Sequence, residues 1–290
     1  MNAISRSIFI TGIIFTVAAG AAAREGDQKL FYVINYAVSQ CNAEIEVNGV
    51  PITRSEKKHS YSVNGVSDVS MWISTGKNRV TVTIRPAARQ KDSGASPSIV
   101  ISVSTVLQGQ MSDEGKKIAE LRIPEKNGDD ELARIQKTTR KELEFTPQYV
   151  PPSELWGKIK QVKLDASSRK HILKLVADYH AALSRKNVDA LYGFLLFASL
   201  DMARLRHQPV EEVKSKLKDN LREMLSEKGF AMAPLNIGRI ILRPVADGRI
   251  LWVTDPAVES PVRTRKTSDG GTISFPVYVS VIDGKWVIVR

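Results

Sequence analysis

The side chains that could carry out acid–base or metal chemistry are few in this sequence and lie far apart. Its four histidines are His59, His171, His180 and His207. None stands in an H-x-H, H-E-x-x-H or Cys/His pattern, so the sequence predicts no zinc site. It also has no G-x-S-x-G, P-loop or G-x-G-x-x-G pattern. The sequence therefore indicates no catalytic motif, no metal and no cofactor.

An acid or base would have to come from a pocket in the second half of the chain. The candidates for that acid or base are Asp178, Tyr179, His180 and Asp201, and Trp252 and Phe275 are candidates for the lining of the pocket. His171 and Asp178 are two helical turns apart, too far for a direct hydrogen bond, and Asp178 and His180 point in different directions on a helix. Base rates favour the alternative that these positions belong to a solvated helix face or to the core.

Basic residues outnumber acidic ones, and the formal net charge is +11. A basic surface attracts anionic partners. A group of cations lies on or beside predicted strands of the second half: Arg239, Arg243, Arg249, Arg263, Arg265, Lys266 and Arg290. If several share one face of a sheet, that face suits an acidic protein surface. The alternative is that they are the polar faces of solvated strands.

The amino terminus has the pattern of a secretory signal peptide. Arg6 precedes an apolar run over residues 8–19, and Ala21-Ala22-Ala23 provides a small-residue cleavage site before a polar stretch. The apolar run is short for an uncleaved membrane anchor. We therefore expect residues 1–23 to be removed and the mature chain to be periplasmic, without a transmembrane span. The anionic partners to consider are then a protein or an envelope component, and not nucleic acid.

Residues 30–147 alternate polar and apolar side chains in short segments, which predicts an antiparallel β-sandwich. The predicted strands are 30–38, 43–47, 69–74, 79–85, 98–106, 118–123 and a weaker one at 143–145. Asn48-Gly49 is a hairpin signal. Cys41, the single cysteine, is expected to be a partly buried residue at a strand end.

Trp72 is the candidate ligand-binding residue of this first region. The stretch from Trp72 to Ile84 resembles small carbohydrate-binding or adhesion-type sandwich modules. Alternation separates Trp72 from Met71 and Ile73, which predicts an exposed ring that could stack on a ligand. The alternative is that Trp72 covers a domain junction.

Residues 148–153 hold Pro151 and Pro152, close after Pro147, and form the predicted linker. Beyond it, residues 154–290 read as an α+β domain, with three helices packed on a curved antiparallel sheet. The helices are predicted from Asp165 or Ser167 to Arg185, from Asn187 onwards, and from Pro209 to Gly229. The predicted strands are 239–245, 249–253, 272–282 and 285–290, with hairpin turns at Asp247-Gly248 and Asp283-Gly284.

The order of elements in this second region resembles the NTF2-like (SnoaL-like) cone fold. The residues that carry the likeness are 179–191, with their helix–turn–helix pattern, and 278–290, with Gly284-Lys285-Trp286. The resemblance implies a cone-shaped fold that hosts both enzymes and inert binding modules, so it does not fix a function.

Three functions are compatible with the sequence. The first is an exported, non-catalytic interaction protein; one form of it is an immunity protein that blocks a secreted antibacterial toxin. The second is a small-ligand binder or enzyme with a deep cavity lined by Tyr179, Trp252 and Phe275. The third is binding of cell-envelope glycan or lipid through the β-sandwich.

Overall fold

The computed structural model describes residues 29–53, 61–85, 97–125, 132, 137–258, 260–266 and 271–290. The predicted signal peptide and His59 lie outside the described residues. The chain divides between Pro152 and Ser153 into two compact units. We call the part before this point the first unit and the part after it the second unit. The division falls within the proline-rich stretch 148–153.

The first unit is an antiparallel β-structure. Its strands are β1 (Leu30–Val47), β2 (Val50–Thr53), β3 (Tyr61–Asp68), β4 (Asn78–Arg85), β5 (Ser98–Leu107), β6 (Lys116–Ile123) and β7 (Thr139–Phe145). They form one sheet in the order β6-β5-β1-β4-β7, with β2 and β3 also paired to β1. The sheet curls until β6 and β7 come into contact, so that it nearly closes into a barrel.

The long strand β1 belongs to both halves of this sheet. Residues 30–39 pair with β5, and residues 42–47 pair with β4. Between them Gln40 has a φ of 50°, and the pairing with β3 shifts between Val38 and Cys41. A strand that bends at one residue can serve two sheet directions. The two strands predicted at 30–38 and 43–47 are therefore one bent strand, and the predicted sandwich is one continuous curled sheet.

Two other differences concern the segment before β4. Residues 70–72 form a short 3-10 turn, so the strand predicted at 69–74 is wrong. The sequence does not predict strand β3, because its mostly polar residues, with Gly65 among them, lack a clear apolar face. The Asn48-Gly49 hairpin is confirmed: Val47 pairs with Val50, and the two turn residues have φ values of 50° and 78°.

Two asparagines hold this hairpin against the turn before β4. Asn78 is fully buried; its Oδ1 accepts from the Ser74 N–H (3.0 Å), and its Nδ2 donates to the Ser74 carbonyl (2.9 Å). Asn48 donates from Nδ2 to Asn78 Oδ1 (2.8 Å) and to the Trp72 carbonyl (2.7 Å). Without the Asn78 amide, the N–H and the carbonyl of the buried Ser74 would lose these partners.

We therefore predict that Asn78→Ala lowers the free energy of unfolding by ~2–4 kcal/mol, because several buried polar groups lose their partners at once. Chemical denaturation followed by tryptophan fluorescence measures the change. Asn64→Ala, at an exposed position of β3, is the matched control and should change stability by less than ~0.5 kcal/mol. Equal effects of the two substitutions would contradict this account.

The second unit is helical first and then β. Its helices are α1 (Glu154–Lys158), α2 (Ala166–Ser184), α3 (Val188–Leu205) and α4 (Val210–Ser226), and its strands are β8 (Ile241–Val245), β9 (Ile250–Thr254), β10 (Val277–Ile282) and β11 (Lys285–Ile288). The sheet is an antiparallel meander in the order β11-β10-β9-β8. The three long helices and both predicted hairpins are confirmed, and the fold is α+β. Helix α1 was not predicted.

The predicted helix starts are confirmed in detail for α2 and α3. The Asp165 carboxylate accepts from the Ser168 N–H (2.8 Å), and Asn187 Oδ1 accepts from the Ala190 N–H (3.0 Å). Pro209 stands at the N-cap of α4, one residue before the helix. Helices α2 and α3 pack against the sheet, and α4 packs against α3. The three long helices each contribute an apolar stripe to the core that they share with the sheet, which includes Ile172, Val176, Leu191, Leu217, Leu221, Leu251, Val253, Val277 and Val279.

The buried carboxylate of Asp201 on α3 connects α3 to the start of α1 and to the last residue of the chain. It accepts from the Ser153 hydroxyl (2.9 Å) and from the N–H groups of Glu154 (2.6 Å) and Leu155 (3.2 Å). It also pairs with the Arg290 guanidinium at 2.7 Å, and both side chains are almost fully buried. Burial lowers the pKa of Arg290, and the charge of Asp201 opposes that shift. Asp201 is thus a capping and pairing group, not a group free for acid–base chemistry.

We predict that Asp201→Asn lowers the free energy of unfolding by ~3–5 kcal/mol, because it leaves the Arg290 charge buried without a counter-charge. Thermal or chemical unfolding of the purified variant measures the loss. Asp247→Asn makes the same chemical change at an exposed turn position and serves as the control. A control and a variant of equal stability would show that the buried pair is dispensable.

Candidate binding surfaces

An open groove lies between helix α2 and the turn that joins β10 to β11. Its volume is about 420 Å³, and its lining residues are His171, Lys174, Leu175, Asp178, Gly284, Lys285 and Trp286. The four residues from α2 are spaced i, i+3, i+4 and i+7, which places them on one face of the helix. We call this site the α2 groove.

The polar side chains of the α2 groove are two lysines, one aspartate and one histidine. Lys174 Nζ lies 2.5 Å from Asp178 Oδ2, and both side chains are at least half exposed, so this ion pair adds little stability. His171 Nδ1 lies 2.9 Å from the Ser167 carbonyl oxygen and donates to it. Lys285 is exposed at the start of β11. Trp286 is partly buried and packs against the core cluster. The groove therefore combines an aromatic wall with amine and imidazole groups.

Sequence reasoning missed most of this groove. The sequence predicts Asp178 as a pocket residue, but it does not predict Lys174, Lys285 or Trp286 as site residues. The i, i+3, i+4, i+7 spacing on α2 was a visible signal. Nothing in the sequence showed that the β10–β11 turn lies beside that face of the helix.

The predicted pocket residues do not converge. Tyr179 is buried in the core beside Phe194, with the ring centres 5.8 Å apart, and burial raises its pKa. His180 Nε2 lies 2.8 Å from the Ala233 carbonyl oxygen, to which it donates. Asp178 faces the open groove. Three consecutive positions on a helix point in different directions, so these side chains have separate surroundings.

Trp252 and Phe275 are also apart from one another. Leu251 and Val253 face the core cluster, so Trp252 between them faces the opposite side of the sheet, where it stacks on Tyr278 at 6.2 Å. Phe275 packs edge-on against Phe230 beside the core. The prediction that Tyr179, Trp252 and Phe275 line one cavity is therefore wrong.

The basic residues are spread over several elements of the second unit. Arg239 lies in a 3-10 turn and pairs with Asp255 at 3.0 Å. Arg243 lies on β8, with its guanidinium 5.7 Å from the centre of the Trp252 ring. Arg249 lies in the β8–β9 turn, over the Trp156 ring at 4.9 Å.

The remaining basic residues lie outside the four strands. Arg263, Arg265 and Lys266 belong to the connection between β9 and β10, where Arg265 Nε donates to the Met232 carbonyl (3.3 Å). Arg290 is buried against Asp201. Of the seven residues, only Arg243 lies within a strand. The condition that several of these residues share one face of the sheet is therefore not met, because six of the seven lie in turns, connections or the chain end beside the strands.

Trp72 is not an exposed platform. It lies in the 3-10 turn Ser70–Trp72, and its relative exposure is 5%. The alternation argument failed because this segment is not a strand. The ring belongs to the core of the first unit and cannot stack on a ligand from solvent.

Cys41 is buried in β1 close to the bend, within 3.9 Å of the Ser98 carbonyl oxygen. Burial raises the pKa of its thiol to about 12, because the thiolate would lose its hydration. The thiolate is the reactive form of cysteine. This thiol is therefore a structural apolar group.

We predict that Cys41 of the folded protein does not react with Ellman's reagent at pH 8 and reacts fully in denaturant, because little thiolate forms below the raised pKa. Absorbance on mixing, with and without guanidinium, measures the difference. Rapid labelling of the folded protein would mean that the thiol is accessible and ionised.

Within the described part of the chain, no group of three or more His, Cys, Asp or Glu side chains is placed to hold a metal ion. Among the same residues, no helix combines the length and the apolar character needed to cross a membrane. No protein-family model, curated protein or solved structure matches the chain.

Proposed function

We propose that this chain is an exported binding protein that acts by surface contact, without chemistry of its own, on a partner that presents an acidic surface. The observation that carries the proposal is the α2 groove, where the cations Lys174 and Lys285 line the same opening as the partly buried Trp286, together with His171 and Asp178. A surface that offers cations around an aromatic anchor suits protein recognition.

The dispersal of the other titratable side chains supports the same proposal. A catalytic site needs an acid, a base or a nucleophile within hydrogen-bond reach of one another. Here Asp201 caps α1 and pairs with Arg290, and His180 is bonded to a main-chain carbonyl. These groups stabilise the fold and do not meet in a cleft.

Export is part of the proposal. The leader pattern at residues 1–23 favours a periplasmic protein, and the excess of basic over acidic residues, which persists when Arg6 is removed with the leader, favours an anionic partner in that compartment. A secreted antibacterial toxin, blocked by an immunity protein, is one partner of this kind. The NTF2-like likeness of residues 154–290 is compatible with a non-catalytic binding module.

We predict that reversing the groove charges weakens binding to an acidic polypeptide. The mature chain, from residue 24, is titrated with poly-L-glutamate by fluorescence anisotropy at low salt. Lys174→Glu with Lys285→Glu should weaken binding by about tenfold or more, because two attractive charges become repulsive. The matched control is Lys214→Glu with Lys228→Glu, which makes the same change in net charge at exposed positions outside the groove.

Comparing the two double variants shows whether binding depends on the α2 groove or only on the net charge of the protein. The proposal expects the control to bind within about threefold of the unaltered protein, with binding that weakens as salt is raised. Trp286→Ala should weaken binding without changing the net charge, because the apolar anchor is lost. Equal losses for both double variants would show that the α2 groove is not the binding site.

A further inference from the structure

Strand β3 is an open edge of the first unit. Among the described residues it pairs only with β1, over Val33–Cys41, and its other edge has no strand beside it. The register runs without a shift from Val63 to Asp68. Val66 is 53% exposed, and its neighbours on the same side, Ser62 and Asn64, are also exposed. Such an edge is a template for pairing with another strand.

The other edge strands of the described chain all carry features that discourage such pairing. Proteins protect edges with charged side chains, prolines and short strand length. Strands β6 and β7 are rich in charge: Lys116, Lys117, Glu120 and Arg122 on the first, and Arg140, Lys141, Glu142 and Glu144 on the second. The short strand β2 contains Pro51, β8 contains Arg243 and Pro244, and the short strand β11 begins with Lys285.

Strand β3 has none of these features. Its eight residues include no lysine, arginine, glutamate or proline, and the single charge, Asp68, stands at its end. Gly65 does not mark a bulge there. A Cβ at this position would overlap the Tyr36 hydroxyl oxygen, so glycine here accommodates the close approach of the Tyr36 ring. The strand is therefore regular and carries no charge before Asp68, and its residues from Ser62 to Asp68 alternate between exposed and half-buried.

We propose that β3 pairs with β3 of a second copy of this chain to form a two-fold antiparallel dimer. The formal charge of +11 opposes contact between two copies of the chain, so a dimer needs an edge without cations, and β3 is such an edge. An acidic partner, by contrast, is not attracted to an edge without cations. The proposal is independent of the α2 groove.

The side chains of β3 permit this self-pairing. In a two-fold antiparallel pair, the residue on the symmetry axis faces its own copy. With Gly65 on the axis, Val66 faces Asn64 and Asp68 faces Ser62, so that no like charges are opposed. The sheet then continues from one protomer into the other through main-chain hydrogen bonds.

Sedimentation velocity of the mature chain over a wide range of concentrations tests the proposal. The unaltered protein should form a concentration-dependent dimer. Val66→Lys places two lysines at the pairing edge and should weaken the dimer at least about tenfold. Met111→Lys makes the same change at an exposed turn position of the first unit and should leave the dimer unchanged.

Ser62→Lys provides a second substitution on the exposed side of β3. Circular dichroism of all four proteins shows whether each one is folded. A monomer at every concentration would overturn the proposal. Dimers of Val66→Lys and Ser62→Lys that are as stable as the dimer of the control Met111→Lys would overturn it as well. If the unaltered protein does not bind poly-L-glutamate, the test of the dimer still stands, because the α2 groove and β3 belong to different units.

Discussion

The carboxylate of Asp201 is the constraint on which the second unit depends. A buried charge is tolerated only where opposite charge and hydrogen-bond donors surround it. Asp201 meets that condition with the Ser153 hydroxyl, two N–H groups at the start of α1 and the Arg290 guanidinium. Because these donors come both from the start of α1 and from Arg290, the hydrogen bonds of one side chain fix the relative positions of α1, α3 and the residues that follow β11.

This constraint also bears on the α2 groove. Arg290 follows β11, and the main-chain bonds of Tyr278 to Val289 and Arg290 continue the β10–β11 ladder up to it. The other end of the same hairpin carries Gly284, Lys285 and Trp286. The ion pair between Asp201 and Arg290 therefore holds in place the β10–β11 hairpin, whose turn forms one wall of the α2 groove. A prearranged surface loses less conformational entropy on binding than a mobile one.

The sequence predicted elements whose signals are local. Asp165 and Asn187 mark helix starts because a cap is a contact over three residues, and Asn48-Gly49 and Asp283-Gly284 mark hairpins because turn geometry depends on two residues. It did not predict the bend at Gln40 or the short turn at Trp72, because both are set by pairing with distant strands. The predictions that Trp72 is exposed and that basic residues share a sheet face failed for the same reason. Both assume strands at positions that lie in turns, as Trp72, Arg239 and Arg249 do.

The most direct test of recognition at the α2 groove is hydrogen–deuterium exchange of the mature chain with and without poly-L-glutamate. Exchange reports local opening at each peptide, so it locates the contact without a substitution. Added protection should appear in the peptides that cover residues 167–178 and 282–288 and should fade as salt is raised. Protection confined to other segments, or none under conditions where the polyanion is bound, would contradict the account.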